Sequence, residues 1–470
     1  MELWRLWNTW VQALRPACAR QVTFQWMRIA LMGLCVRADL AGVTSLVRAL
    51  ALQPKQYLRL LHLFHSEALQ LAPLTALWVR FCQRHFDPLE VGGGARVCLA
   101  DGLKVPKEGR KMPGVKKLHQ ESTNNSKPEW IEGHSFQALA QLVRTPDGRV
   151  TSVPLTSRIH EGVIDSAREL RRTLLDRLVE LFFEVAREIP RRVILVADAY
   201  YASGKVIRPL LAQGHHLVTR VRRNAVAYPL PPRRRRRGPG RPRKYGKKLR
   251  LQTLLHQEGG FATAPSPVYD ECDVEIAYAT RDLLWRPVGQ LVRFVFVRHP
   301  RRGALILMST DLTLDPLDVI ALYGYRFKIE AGFRQAVQVL GAYAYHFWMA
   351  PLSARRRGSG NQDIRKRSTA YKQALRRKIG AYHRFVQLGC IAQGLLQLLA
   401  IQKRRTVWQR FRSWLRTMNP DLPPSELVVA QALRTTLPEF LADPRAPADL
   451  AKFLARIRSP DILRAYERAA

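Results

Sequence analysis

Acidic residues are scarce in this chain. Its 470 residues include 37 Asp and Glu against 77 Lys and Arg, a formal charge of +40. An enzyme of small molecules has no use for such an excess, whereas a polyanion is attracted and steered by it. Cysteine is also sparse. Cys18, Cys35, Cys82, Cys98, Cys272 and Cys390 are scattered without close pairs, which excludes a zinc-finger or disulfide framework and points to a reducing, cytoplasmic setting. Long apolar runs are missing near the N-terminus. The stretch 29–36 lies between Arg28 and Arg37 and is too short to span a bilayer. The opening Met1-Glu2-Leu3-Trp4-Arg5 does not read as a secretory signal. Basic residues gather in Pro/Gly-rich loops rather than along amphipathic helices, so the expected polyanion is nucleic acid and no membrane partner is expected.

What is present is a folding chain, 47% hydrophobic, with no internal repeat and length for roughly three domains at about 150 residues each. Residues 1–92 read as a helical N-terminal domain. Tyr57, Leu60, Leu61 and Phe64 recur at helical spacing, and Asp39 and Ser45 are candidate caps. A helix-turn-helix for DNA and a bundle packed on the core are equally open there. Gly92-Gly93-Gly94 marks the boundary. Residues 93–223 then alternate. Strands are expected at 97–100, 135–143, 149–155, 193–197 and 216–221, a long helix at 164–189 and a short one at 205–213. Asp101-Gly102 reads as a turn after the first strand, and Asp147-Gly148 as a hairpin turn.

Residues 224–310 form a β-rich insertion. It opens with a basic loop: Pro231-Pro232, five arginines at 233–237, then Gly240-Arg241-Pro242-Arg243-Lys244. Strands are expected at 268–279, 291–297 and 304–308. Residues 311–353 hold one helix running from Asp315 to about Leu340, opened by an acidic N-cap and Pro316. Residues 354–470 begin with a basic loop and continue as helices broken near Pro420, Pro423-Pro424 and Pro444. They are a candidate dimerisation region.

Three acids stand out. Asp101 and Asp198 each follow a buried apolar strand, where open sheets collect ligands. Glu330 lies inside the late helix. At about 100° per residue, Tyr323, Arg326, Glu330, Arg334 and Val337 share roughly 80° of arc. That mixture suits a helix facing a charged cleft. Each acid alone is as readily a turn residue, a cap or a surface pair; the joint pattern is more specific. Hard cations such as Mg²⁺, with Mn²⁺ substituting, take carboxylate oxygens. Two of them about 4 Å apart activate the attacking oxygen and stabilise the leaving one in phosphodiester cleavage.

With these residues in place, the chain resembles the RNase H-like DDE transposases, most of all the bacterial insertion-sequence branch that forms DNA hairpins and carries a β-rich insertion before its Glu. That branch has the pattern Tyr-x-x-Arg-x-x-x-Glu-x6-Lys. Tyr323, Arg326 and Glu330 match its first three positions, and residue 337 is Val where the pattern has Lys. The resemblance covers about 90–350. It implies an α/β RNase H-like mixed sheet, with Asp101, Asp198 and Glu330 as catalytic and metal-holding residues. It further implies double-stranded DNA as terminal repeats and target, a homodimer on DNA, and cut-and-paste transposition in a bacterial nucleoid. Candidate DNA contacts are Tyr323, Arg326 and Arg334 beside Glu330, and Lys104 and Lys107 after Asp101. Arg241 and Arg243 belong to a segment that looks like an AT-hook. Trp285 lies where hairpin-forming relatives stack a flipped base. His134 reads first as a hydrogen-bonded structural residue. A non-transposing nuclease on the same core and a catalytically idle DNA-binding derivative are the alternatives; the presence of all three acids argues against the second.

Overall fold

The computed structural model describes residues 2–120, 128–232, 243–257 and 259–459. Its centre is a large mixed sheet. The principal strands are β1 (Ala95–Pro106), β2 (Lys116–His119), β3 (Trp130–Arg144), β4 (Val150–Ile159), β5 (Val193–Ala197), β6 (His216–Arg220), β7 (Ala262–Pro265), β8 (Glu275–Trp285), β9 (Gln290–His299) and β10 (Gly303–Ser309). Across the sheet they run β4-β3-β1-β5-β6-β10-β9-β8-β7, with β2 also on β3. β3 is antiparallel to β1 and β4, while β1, β5 and β6 are mutually parallel. Three antiparallel strands followed by two parallel ones, with helices on the faces, make the core RNase H-like. The inserted strands do not form a separate sheet. β10 pairs with β6, so the insertion extends the same sheet at its edge.

β5 explains why Val193 to Ala197 are five apolar residues in succession. All five are buried, as befits a central strand covered on both faces. Three sequence expectations shift. The helix expected over 164–189 is two helices, Ala167–Arg171 and Leu174–Ala186. Ser166 caps the first, and Thr173 with Asp176 forms a capping box that starts the second. The strand expected at 268–279 is β8, starting at Glu275, because Tyr269, Asp270 and Asp273 hold positive φ and turn the chain instead. Ser45 lies inside the helix Thr44–Ala49 and is not its cap.

The N-terminal and C-terminal helices pack on one another. The long helix Thr369–Gln402 lies against β4 and against the helices Gln21–Val36, Gln56–His65 and Leu71–His85. By length and composition it is apolar enough to cross a membrane, yet 89% of its most apolar window is buried within the protein. Arg28, fully buried, joins the two ends of the chain. Its guanidinium donates to Asn8 Oδ1 at 2.5 Å, to Gln25 Oε1 at 3.1 Å and to Asp449 Oδ2 at 2.7 Å. Gly394 lets the long helix approach Trp78: a Cβ there would lie 2.3 Å from the indole.

Candidate active site

Asp101 does not end its strand in a turn. β1 continues to Pro106 because β3 pairs with it from Cys98 through to Pro106, Asp101 opposite Ala138. β5, shorter, stops at Ala197. Asp198 then caps a single 3-10 turn, accepting from the Tyr200 N–H at 2.9 Å, while its own carbonyl accepts from Thr219 Oγ1 at 2.7 Å. The last register pair of these two parallel strands is Leu99 with Val196. Asp101 and Asp198 therefore each stand two residues further on, on neighbouring chains about 5 Å apart.

Glu330 arrives from a helix that the sequence did not divide. Two helices, Pro316–Tyr325 and Phe327–Gln338, meet at Arg326. The i, i+4 relation between Arg326 and Glu330 survives the junction, and Arg326 Nη2 lies 2.7 Å from Glu330 Oε1. Its other arm reaches the sheet, with Nη1 2.8 Å from Asp101 Oδ2. One guanidinium thus ties the helix acid to the strand acid.

The charges are mutually felt. Burial pushes the Asp101 carboxyl up to about 6; Arg326 and the Gly102 N–H pull it down, while Asp198 and Glu330 push it further up. Burial works against the Arg326 charge, but Asp101 and Glu330 outweigh it and raise its pKa. Tyr201, raised by burial and by Asp101 and Asp198, donates its hydroxyl to Gln137 Oε1 at 2.8 Å. Gln137 Nε2 in turn donates to the Asp101 carbonyl at 2.9 Å. Gln137 and Tyr201 were not singled out from sequence. A Gln between Phe136 and Ala138 in the expected strand was the available signal.

The other candidates divide. Tyr323, half-buried, hydrogen-bonds Arg326 and senses Asp198 and Arg220. Arg334 is exposed one turn beyond Glu330 and donates to Gln338 at 3.2 Å. Lys104 donates to the His119 carbonyl at 2.5 Å. Arg243 is exposed; Arg241, with 233–242, lies outside the described residues. Two readings need correction. Lys107 is only 5% exposed, and its ammonium donates to the carbonyls of Tyr343 at 2.9 Å and Tyr345 at 3.1 Å. It clamps two chain segments and does not face a phosphate. Trp285 is 7% exposed and packed in the core at the end of β8, so its ring is not available for stacking. His134 is fully buried, its Nε2 2.9 Å from the Pro113 carbonyl, and burial lowers its pKa to about 3.

The carboxylate donors suit a hard divalent cation. Among the described residues, however, no three acids, histidines or cysteines are grouped closely enough to hold a metal ion. The Arg326 guanidinium stands between Asp101 and Glu330, paired with both.

An RNase H-like sheet that brings an Asp on its first strand beside an Asp past the next parallel strand, with a helix Glu tied to the first of them through Arg326, is the arrangement of an RNase H-like nuclease. Comparison with known families agrees. The family model described as DDE superfamily endonuclease matches residues 13–287, more than half of the chain, and the chain belongs to that family. The match includes Asp101 and Asp198 and stops short of Glu330. No curated protein matches the chain. Endonucleases of this family act on DNA and generally use divalent metals.

Proposed function

We propose that this chain is a DNA transposase that cleaves the ends of a mobile element and transfers the freed strand to a target. The observation that carries the reading is the double hold of Arg326 on Asp101 and Glu330, with Asp198 on the neighbouring strand end. It joins the Tyr-Arg-Glu pattern in the late helix to the first strand acid, beside which the second stands.

In this reading Asp101, Asp198 and Glu330 would hold Mg²⁺ or Mn²⁺ once Arg326 has left the two carboxylates it bridges. The bound ions would sharpen a water or a 3′-hydroxyl as nucleophile and neutralise the leaving oxygen. The chain's own residues prepare that geometry. Gln137 and Tyr201 fix the backbone at Asp101, and the Thr219 hydroxyl fixes it at Asp198. Arg326 keeps Glu330 turned to the sheet until DNA arrives, then forks onto a phosphate instead. Tyr323 steadies that guanidinium. Hydrolysis adds water across one P–O bond and leaves a 3′-hydroxyl; transfer spends that hydroxyl on a target phosphate, with one P–O bond formed and one broken. Arg334, Lys104 and Arg243 are proposed to contact the duplex. A homodimer on paired ends and a bacterial nucleoid setting belong to the same proposal.

The test uses the protein with labelled duplexes made from the DNA on either side of its own gene. Cleavage in Mg²⁺ at a boundary between inverted repeats and joining to a second duplex are expected. Cleavage without joining would leave a nuclease and remove the transposase. No cleavage of any duplex in Mg²⁺ or Mn²⁺ would remove both.

A further inference from the structure

The face of the sheet that carries Asp101 continues well past the acids. Asp101 is opposite Ala138, and partners in an antiparallel pair share a face. Moving by twos along β3 from Ala138 gives Phe136, His134, Glu132 and Trp130. On β2 the partners of the last two are Lys117 and His119. Helices cover the middle of this row, where Phe136 and His134 are fully buried. At its end the cover stops. Trp130 is 47% exposed, with Lys117 Nζ 4.1 Å from its ring centroid and the His119 ring at 4.8 Å.

A second aromatic stands out near the same edge. Trp348 is 70% exposed. The segment that follows it is bonded alongside the chain leading into β2: Met349 N–H to the Lys111 carbonyl at 3.0 Å, Arg355 N–H to the Arg110 carbonyl at 3.1 Å, and Lys117 N–H to the Ser359 carbonyl at 2.9 Å. Arg110, Lys111, Lys117 and Arg356 are all exposed there. The acids of this region are largely spoken for. Glu132 accepts from Arg355 and from the Gly358 N–H, and Glu129 lies 3.4 Å from His119.

We infer that this edge, from Trp130 to Trp348, is a second contact surface for duplex DNA, separate from the acids and on the same side of the sheet. The inference rests on the proposed DNA-cleaving function. At about 3.3 Å per residue, Trp130 lies roughly 26 Å from the position opposite Asp101 along β3. At 3.4 Å per nucleotide of one strand, that is about eight base pairs from the phosphate being cut. A duplex leaving the acids over the helices that cover the middle of this face would reach the edge within its first helical turn. Cations there neutralise phosphates, and an exposed indole beside a lysine offers an apolar contact to sugar or base without a matching acidic partner.

The probe is a 30-bp fluorescein-labelled duplex of mixed sequence, read by anisotropy from low to high salt. Two double variants carry the same change of net charge. One is Lys117→Glu with Arg356→Glu. The other is Arg187→Glu with Arg191→Glu, exposed residues before β5, at the opposite strand end from Asp198. The first pair should weaken binding tenfold or more at 100 mM salt and lower the log–log salt slope by about two, at roughly 0.9 for each phosphate no longer neutralised. The second pair should leave the slope unchanged. Trp130→Ala, which removes no charge, should weaken binding several-fold at every salt concentration with the slope intact. Equal effects from the two charge pairs, or no effect from Trp130→Ala, would overturn the surface. If the unsubstituted protein fails to bind the duplex at all, the DNA-cleaving proposal falls instead.

Discussion

Arg326 Nη1 stands 2.8 Å from Asp101 Oδ2, while its other arm holds Glu330. A guanidinium and a divalent cation are rival partners for the same carboxylates. The sequence alone suggested Arg326 as a DNA contact; the double bridge gives it a second role, at the carboxylates. Without DNA, Arg326→Ala should bind Mn²⁺ several-fold tighter than the parent, measured as free Mn²⁺ by electron paramagnetic resonance. Arg326→Lys, a point charge without the fork, should fall between. DNA that draws the guanidinium onto a phosphate should tighten Mn²⁺ binding by the parent and not by Arg326→Ala. Unchanged or weaker metal binding by Arg326→Ala would show that the bridge does not compete.

A second prediction concerns pH. Asp101 titrates near 6 in the fold against an ordinary 3.8, with burial as the chief cause. Between those values the folded state binds the extra proton, so this residue favours the fold at low pH and opposes it as pH rises through 6. The opposition amounts to about 2–3 kcal/mol at neutral pH, at 1.4 kcal/mol per unit. Asp101→Asn keeps an oxygen for Arg326 and removes the buried charge. It should melt higher than the parent at pH 7.5, and the gain should vanish near pH 4. A gain that is equal at both pH values would mean that burial of the charge is not its source.

Third, Asp101→Ala, Asp198→Ala and Glu330→Ala should each reduce Mg²⁺-dependent cleavage to background while duplex affinity stays within a few-fold of the parent. Binding is dominated by phosphate contacts from Lys and Arg, and none of the three acids supplies one. An alanine variant that still cuts would remove that acid from the mechanism.

Local patterns exposed part of this in advance. Asp101 and Asp198 were visible because each follows apolar residues that must be strand, and Glu330 because Tyr323 and Arg326 precede it at helical intervals. The Asp101-Gly102 turn signal failed because β3 pairs with β1 from Cys98 through to Pro106 and overrides it. Lys107 read as a DNA contact, since nothing nearby in sequence announces its acceptors, the carbonyls of Tyr343 and Tyr345, 236 and 238 residues away. The break in the helix expected over 164–189 was legible: Ser166 with Glu169 and Thr173 with Asp176 are both capping spacings. Arg326 as a bridge was not legible, because one of its two partners lies on a different element 225 residues away.

The last prediction links the core to the site through Gly394. A methyl group there would meet Trp78 Cζ2 at 2.3 Å and Cη2 at 2.7 Å. Trp78 is fully buried, and its Nε1 donates to the Pro154 carbonyl at 2.9 Å, so the indole has no room to swing. The long helix must move instead. Overpacking of this kind costs about 1–3 kcal/mol, while Gly to Ala inside a helix returns at most about 1 kcal/mol. Gly394→Ala should therefore be net destabilising. It should also slow cleavage, because the neighbouring Gln393 Nε2 donates to the Gly332 carbonyl at 3.1 Å, in the helix that carries Glu330. Trp78→Phe removes the ring atoms in the way. In a double-mutant cycle followed by urea melting, Gly394→Ala should cost less in the Trp78→Phe background than in the parent. Strict additivity would show that the two residues do not press on one another.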